Sequence, residues 1–171
     1  MKLYGTTTSP FTRRVAIVAA ELGEPLEWVD TASDAGQAVL RELTPIRKVP
    51  VAIVDGRTVF DSRVIVDWLT ATRGWGGIAP PRDPWRECNQ LNAIDGNVFA
   101  RRQLDRTDAI FDWLATELTA ERFGLAELSV ICALDWMEFR KTYPTERAAA
   151  LAPVRAAWRD RPSIAATVPH A

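Results

Sequence analysis

The stretch Thr6-Thr7-Thr8-Ser9-Pro10-Phe11-Thr12-Arg13-Arg14-Val15 sets a serine and a proline between an apolar run and a helix-like repeat. A helix start leaves unpaired N–H groups and carries a partial positive charge, so it favours an anion such as a thiolate or carboxylate. A serine hydroxyl at that point can donate a hydrogen bond to the anion. A free thiol titrates near ~8.5, and lowering it by one to two units requires about 1.4–2.7 kcal/mol. One charge-assisted hydrogen bond and a helix terminus together supply that much. The competing reading is that Ser9 only caps the helix.

Three further features bear on the same chemistry. Val49-Pro50 stands directly before a β-prone run, and a cis bond there would expose the backbone groups of Val49. Asp61-Ser62 opens a later helix, where a hydroxyl and free N–H groups can grip a carboxylate; a plain N-cap is the alternative. Lys48 places a cation beside Val49, and its alternative is a solvated surface lysine. Arg13 and Arg14 could lean toward the same site, with at least one of them expected to face solvent. Asp105, Asp108 and Asp112 recur at roughly helical spacing and read as a solvated face. Trp75 and Trp113 could line an apolar pocket, but aromatics at such positions more often read as core.

These residues need elements to position them. Lys2 to Gly5 starts a strand, and Phe11, Val15, Val18 and Leu22 repeat as a helix that Gly23 ends. Leu26 to Val29 reads as a second strand, and 34–43 as a weaker helix with Gly36 inside it. Val51–Val54 and Thr58–Phe60 flank Asp55-Gly56, a hairpin signal. Ile65, Trp68 and Leu69 continue as a helix. The order β-α-β-α-β-β-α predicts a parallel first pair and an antiparallel last pair.

The glycine- and proline-rich stretch 74–84 then reads as a linker, with Pro84 placed to start a helix. Beyond it, 85–104, 107–119, 124–139, 145–151 and 153–160 read as helical, and 124–139 is apolar nearly all round, which predicts burial on every side. The expected organisation is an α/β domain over 1–73, a linker over 74–84 and an all-α domain over 85–171.

The 171 residues include seven Trp, enough apolar material for a real core, and 21 basic against 22 acidic residues, a formal net charge of −1. No basic stripe marks a nucleic-acid partner. No apolar run is long enough to span a bilayer, so no membrane partner is expected and a cytoplasmic location is. Cys88 and Cys132 belong to no CxxC pair, and each reads as a buried free thiol. The single histidine, His170, argues against a His-based metal site, and no metal is expected.

In combination, the order of Ser9-Pro10-Phe11-Thr12-Arg13-Arg14-Val15, Thr44-Pro45-Ile46-Arg47-Lys48-Val49-Pro50-Val51 and Asp61-Ser62 resembles the glutathione S-transferase family. Asp95-Gly96, ALDWMEFR in the buried helix and WRDRPSIAATVP at the end add a looser likeness to a bacterial, serine-type branch. The resemblance implies a thioredoxin-like N-terminal domain, an all-α C-terminal domain and glutathione as co-substrate. It implies that Ser9 stabilises the glutathione thiolate for conjugation to a small electrophile, in the manner of a detoxifying transferase. Val49 would pair its backbone with the cysteinyl part, with Pro50 cis. Asp61 and Ser62 would hold the γ-glutamyl end, and Lys48 would face the glycine carboxylate. A homodimer is the family default.

Three departures accompany the likeness. Asp61 replaces the commoner Glu, Gly124-Leu125-Ala126-Glu127 replaces a Ser/Thr-x-x-Asp capping box, and the helical pair after Gly96 reads as shortened. A non-catalytic glutathione-binding or assembly module is therefore a rival reading. A disulfide reductase is a poorer one, since a serine oxygen cannot form the mixed disulfide.

Overall fold

The computed structural model describes residues 1–44, 47–95 and 104–170. Pro45 and Ile46 of the second motif, Gly96 of the Asp-Gly pair and residues 97–103 at the start of the stretch read as shortened lie outside the described residues. Two compact units result: Met1–Gly77 with Ala166–Ala171, and Ile78–Ala165. No described helix is long and apolar enough to cross a membrane.

In the first unit the elements are β1 (Lys2–Gly5), α1 (Pro10–Glu21), β2 (Glu27–Asp30), α2 (Asp34–Leu43), β3 (Val51–Val54), β4 (Arg57–Phe60) and α3 (Ser62–Arg73). The sheet runs β2-β1-β3-β4. β1 and β2 are parallel, as the helical crossover between them requires, and β3 is antiparallel to both β1 and β4. The hairpin turns at Asp55 and Gly56, both at positive φ (48° and 73°), the conformation that Asp-Gly adopts most readily. The second strand begins one residue later than expected, leaving Leu26 exposed.

Alternation divides the sheet's side chains between two faces. Tyr4 and Val51 pack with Leu40 of α2 on one face. Leu3, Ala52 and Val54 are buried on the other. Tyr4 is thus a core residue. The β1–α1 approach is close: a Cβ at Gly5 would lie 2.4 Å from the Thr12 side chain.

The second unit contains α4 (Pro84–Ala93), α5 (Leu104–Glu117), α6 (Leu125–Arg140), a 3₁₀ segment (Thr145–Leu151), α7 (Ala152–Trp158) and α8 (Pro162–Ala165). Its core gathers Ile94, Phe111, Leu114, Val130, Leu134, Met137, Leu151 and Val154. Every residue from Leu125 to Leu134 is buried, the placement that an all-round apolar pattern demands. Gly124 has no side chain to cap α6, yet the Glu127 carboxylate still accepts the Gly124 N–H at 3.0 Å. Half of the reciprocal cap therefore survives.

Three expectations are corrected by these placements. Asp108 is no part of a solvated face: Tyr143 donates its hydroxyl to it at 2.5 Å and Arg147 pairs with it. Cys132 is buried, but Cys88 is only half-buried. Trp113 lies exposed on α5 and Trp75, near the end of the first unit's main segment, is half-buried, so neither is a core residue.

Candidate functional site

The register of the sheet collects the sequence-predicted residues. Tyr4 of β1 faces Val51 of β3, and Val51 faces Phe60 of β4. This row lies at the C-terminal ends of β1 and β4 and the N-terminal end of β3. The chain therefore leaves β1 through the loop from Gly5 to Ser9, enters β3 through Val49-Pro50 and leaves β4 through Asp61-Ser62. All three segments emerge from one edge of the sheet. At about 4.8 Å per strand spacing, the row spans roughly 10 Å.

Ser9 begins α1. Its backbone N–H donates to the Thr6 carbonyl at 3.1 Å, and its carbonyl accepts from Arg13 N–H at 3.0 Å. The side-chain oxygen accepts from Thr12 N–H at 3.2 Å. Ser9 is thus a true N-cap, in extended conformation (φ −85°, ψ 120°) with Pro10 in the first turn. Capping uses the oxygen only as an acceptor. A hydroxyl carries a donor as well, so the cap role and donation to an anion are compatible in one side chain.

The Val49–Pro50 peptide is cis. Pro50 is buried, Val49 half-buried and Lys48 exposed. At the third segment the cap is Asp61: its carboxylate accepts from Arg63 N–H at 2.9 Å. Asp61 has φ 70°, a left-handed backbone that Asp tolerates better than most residues. Ser62 is the first residue of α3, 4 % exposed. Within the Asp61-Ser62 pair the N-cap reading holds for Asp61, and Ser62 stands inside the helix.

Arg13 and Arg14 are both buried, at 1 % and 2 % exposure, against the expectation that one would face solvent. Arg13 Nε donates to Thr167 Oγ1 at 3.2 Å, and Thr7 Oγ1 donates to the His170 carbonyl at 3.2 Å. The C-terminal residues thus return to the α1 loop. Arg14 Nη1 makes a long contact, 3.5 Å, with Ser62 Oγ. A buried guanidinium beside the α3 N-terminus adds positive potential to an edge where two twelve-residue helices already begin.

A family model described as the glutathione S-transferase N-terminal domain matches residues 3–80, the region that holds all of these segments. Residues 3–80 thus belong to the glutathione S-transferase N-terminal domain family. A glutathione S-transferase from Methylobacillus flagellatus KT, solved with GSH bound, superposes with a TM-score of 0.80 at 27 % identity over 99 % of both chains. A glutathione transferase family member from Pseudomonas fluorescens Pf-5, with bound glutathione, gives 0.80 at 25 % and the same coverage. An uncharacterized GST-like protein of Escherichia coli K12 is 24 % identical across 84 % of this chain and 85 % of its own length. Glutathione S-transferase U6 of Arabidopsis thaliana is 32 % identical, but over 50 % of this chain and 39 % of that protein. The first unit is accordingly the family's thioredoxin-like domain and the second its all-helical domain.

Proposed function

We propose that this transferase-fold protein binds glutathione at the edge beyond Tyr4, Val51 and Phe60 and conjugates its sulfur to a small electrophile. The observation carrying the reading is the convergence there of the Ser9 cap, the Val49-Pro50 entry to β3 and the α3 N-terminus. An extended tripeptide is roughly 10 Å long, which matches the three-strand row. The Val49 backbone faces the cysteinyl part, Asp61 and Ser62 take the γ-glutamyl end, and Lys48 meets the glycine carboxylate.

Ser9 takes no proton. Its O–H donates to the sulfur anion while its lone pair holds Thr12 N–H. The thiol proton leaves to solvent, the sulfur forms the new bond to the electrophile's carbon, and the leaving group departs with the bonding electrons. The protein supplies orientation and a fixed dipole toward the anion.

Turnover of an aryl halide with glutathione tests this in wild type and Ser9→Ala. A loss of about one to two pKa units of thiol activation predicts a 10–100-fold fall in kcat/KM. An unchanged rate removes Ser9 from the mechanism, and tight glutathione binding without turnover of any electrophile favours a binding module instead.

A further inference from the structure

The helical unit holds a polar cleft that glutathione binding leaves unused. Its volume is about 320 Å³, at the small end of the roughly 300–1,000 Å³ typical of ligand pockets. Asp83, Arg86, Glu87 and Gln90 recur at helical spacing and form one wall; Glu117 at the end of α5 and Arg122 before α6 lie opposite.

Most of the charge in the cleft is already matched. Arg86 pairs with Glu117. Asp83 caps α4 by accepting from Trp85 and Arg86 N–H. Arg122 donates to Glu127 at 2.9 Å, to Glu87 Oε2 at 3.2 Å and to the Pro80 carbonyl at 2.9 Å. Three groups remain. Glu87 Oε1 has no partner among the described residues. Neither does the Gln90 amide, which opens into the cleft although Gln90 as a whole is only 6 % exposed. Arg82, lining the same cleft, forms no ion pair among the described residues. Burial pushes the Glu87 carboxyl above its ordinary range, even though Arg122 pulls it down. Its charge is thus desolvated and only partly compensated.

We propose that this cleft binds a small zwitterion, a free α-amino acid. The ammonium group meets Glu87 and the Gln90 side-chain carbonyl, and the carboxylate meets Arg82. A cation alone leaves Arg82 unmatched, and an anion alone is repelled by Glu87. The site shares no residue with the glutathione edge, so either reading stands if the other fails.

The test is calorimetric titration of the full chain with each common L-amino acid, using propionate and ethylamine as the single-charge probes. The expected result is saturable binding of at least one amino acid with Kd at or below about 1 mM, and no binding of either single-charge probe. Arg82→Ala, a surface change, and Gln90→Leu, checked for folding by circular dichroism, should each weaken binding at least tenfold. Ser9→Ala should leave it intact. The proposal is overturned if no amino acid binds, if Arg82→Ala binds as tightly as wild type, if propionate or ethylamine binds equally well, or if Ser9→Ala abolishes binding.

Discussion

One oxygen at residue 9 is asked to do two things, and the two can be separated by substitution. Asp caps helices about as well as Ser and suits the positive end of α1, but as a carboxylate it has no proton to donate and repels a sulfur anion. Ser9→Asp should therefore keep thermal stability within about 0.5 kcal/mol of wild type while conjugation collapses. Ser9→Ala should lose both activity and about 1 kcal/mol of stability. Thermal melts and aryl-halide turnover on the two variants decide it; a fully active Ser9→Asp leaves Ser9 as a cap alone. The Ser9 cap position was legible because Ser-Pro before an apolar repeat is local chemistry. The burial of Arg13 and Arg14 was not, because it depends on tertiary partners such as Thr167, 154 residues away in sequence from Arg13, and no local pattern encodes that.

Among the elements, α2 shows propensity and packing pulling in opposite directions. Gly36 weakens the helix by propensity, by about 1 kcal/mol against Ala. Yet a Cβ there would lie 2.5 Å from the Asp30 carbonyl oxygen and 2.6 Å from Thr31 Cα, and backbone atoms cannot swing aside. Gly36→Ala should therefore destabilise, by roughly 1–3 kcal/mol, seen as a fall in Tm; a rise would mean that α2 can slide off the end of β2. Strand and helix identities were legible because periodicity and the Asp55-Gly56 turn are local signals. The role of Asp108 was not, since its partners Tyr143 and Arg147 come from a segment beyond α6.

Across each whole unit, long-range ion pairs join elements far apart in sequence. The first unit is tied together by Arg73, which donates to Glu24 at 3.0 Å and to Asp55 at 2.9 Å. The Arg73 hydrogen bond holds the Glu24 carboxyl below its ordinary range. A carboxyl depressed in the folded state contributes stability above its unfolded pKa, and that contribution is lost as pH falls through the folded value. Glu24→Gln should thus lower Tm at neutral pH, a loss of about 1 kcal/mol for a pair whose arginine stays partly in water. The gap to wild type should close below the ordinary carboxylate range. Melts across pH check the sign; a gap that widens in acid contradicts it.

The proposed chemistry depends on a sulfur anion at the start of α1, and a pH titration of bound glutathione, followed by thiolate absorbance, reads that anion without intermediaries. Wild type should show the bound thiol titrating about one to two units below the free value of ~8.5, with Ser9→Asp and Ser9→Ala returning it toward that value. A bound thiol that titrates at the same pH in all three proteins would contradict the assignment of Ser9.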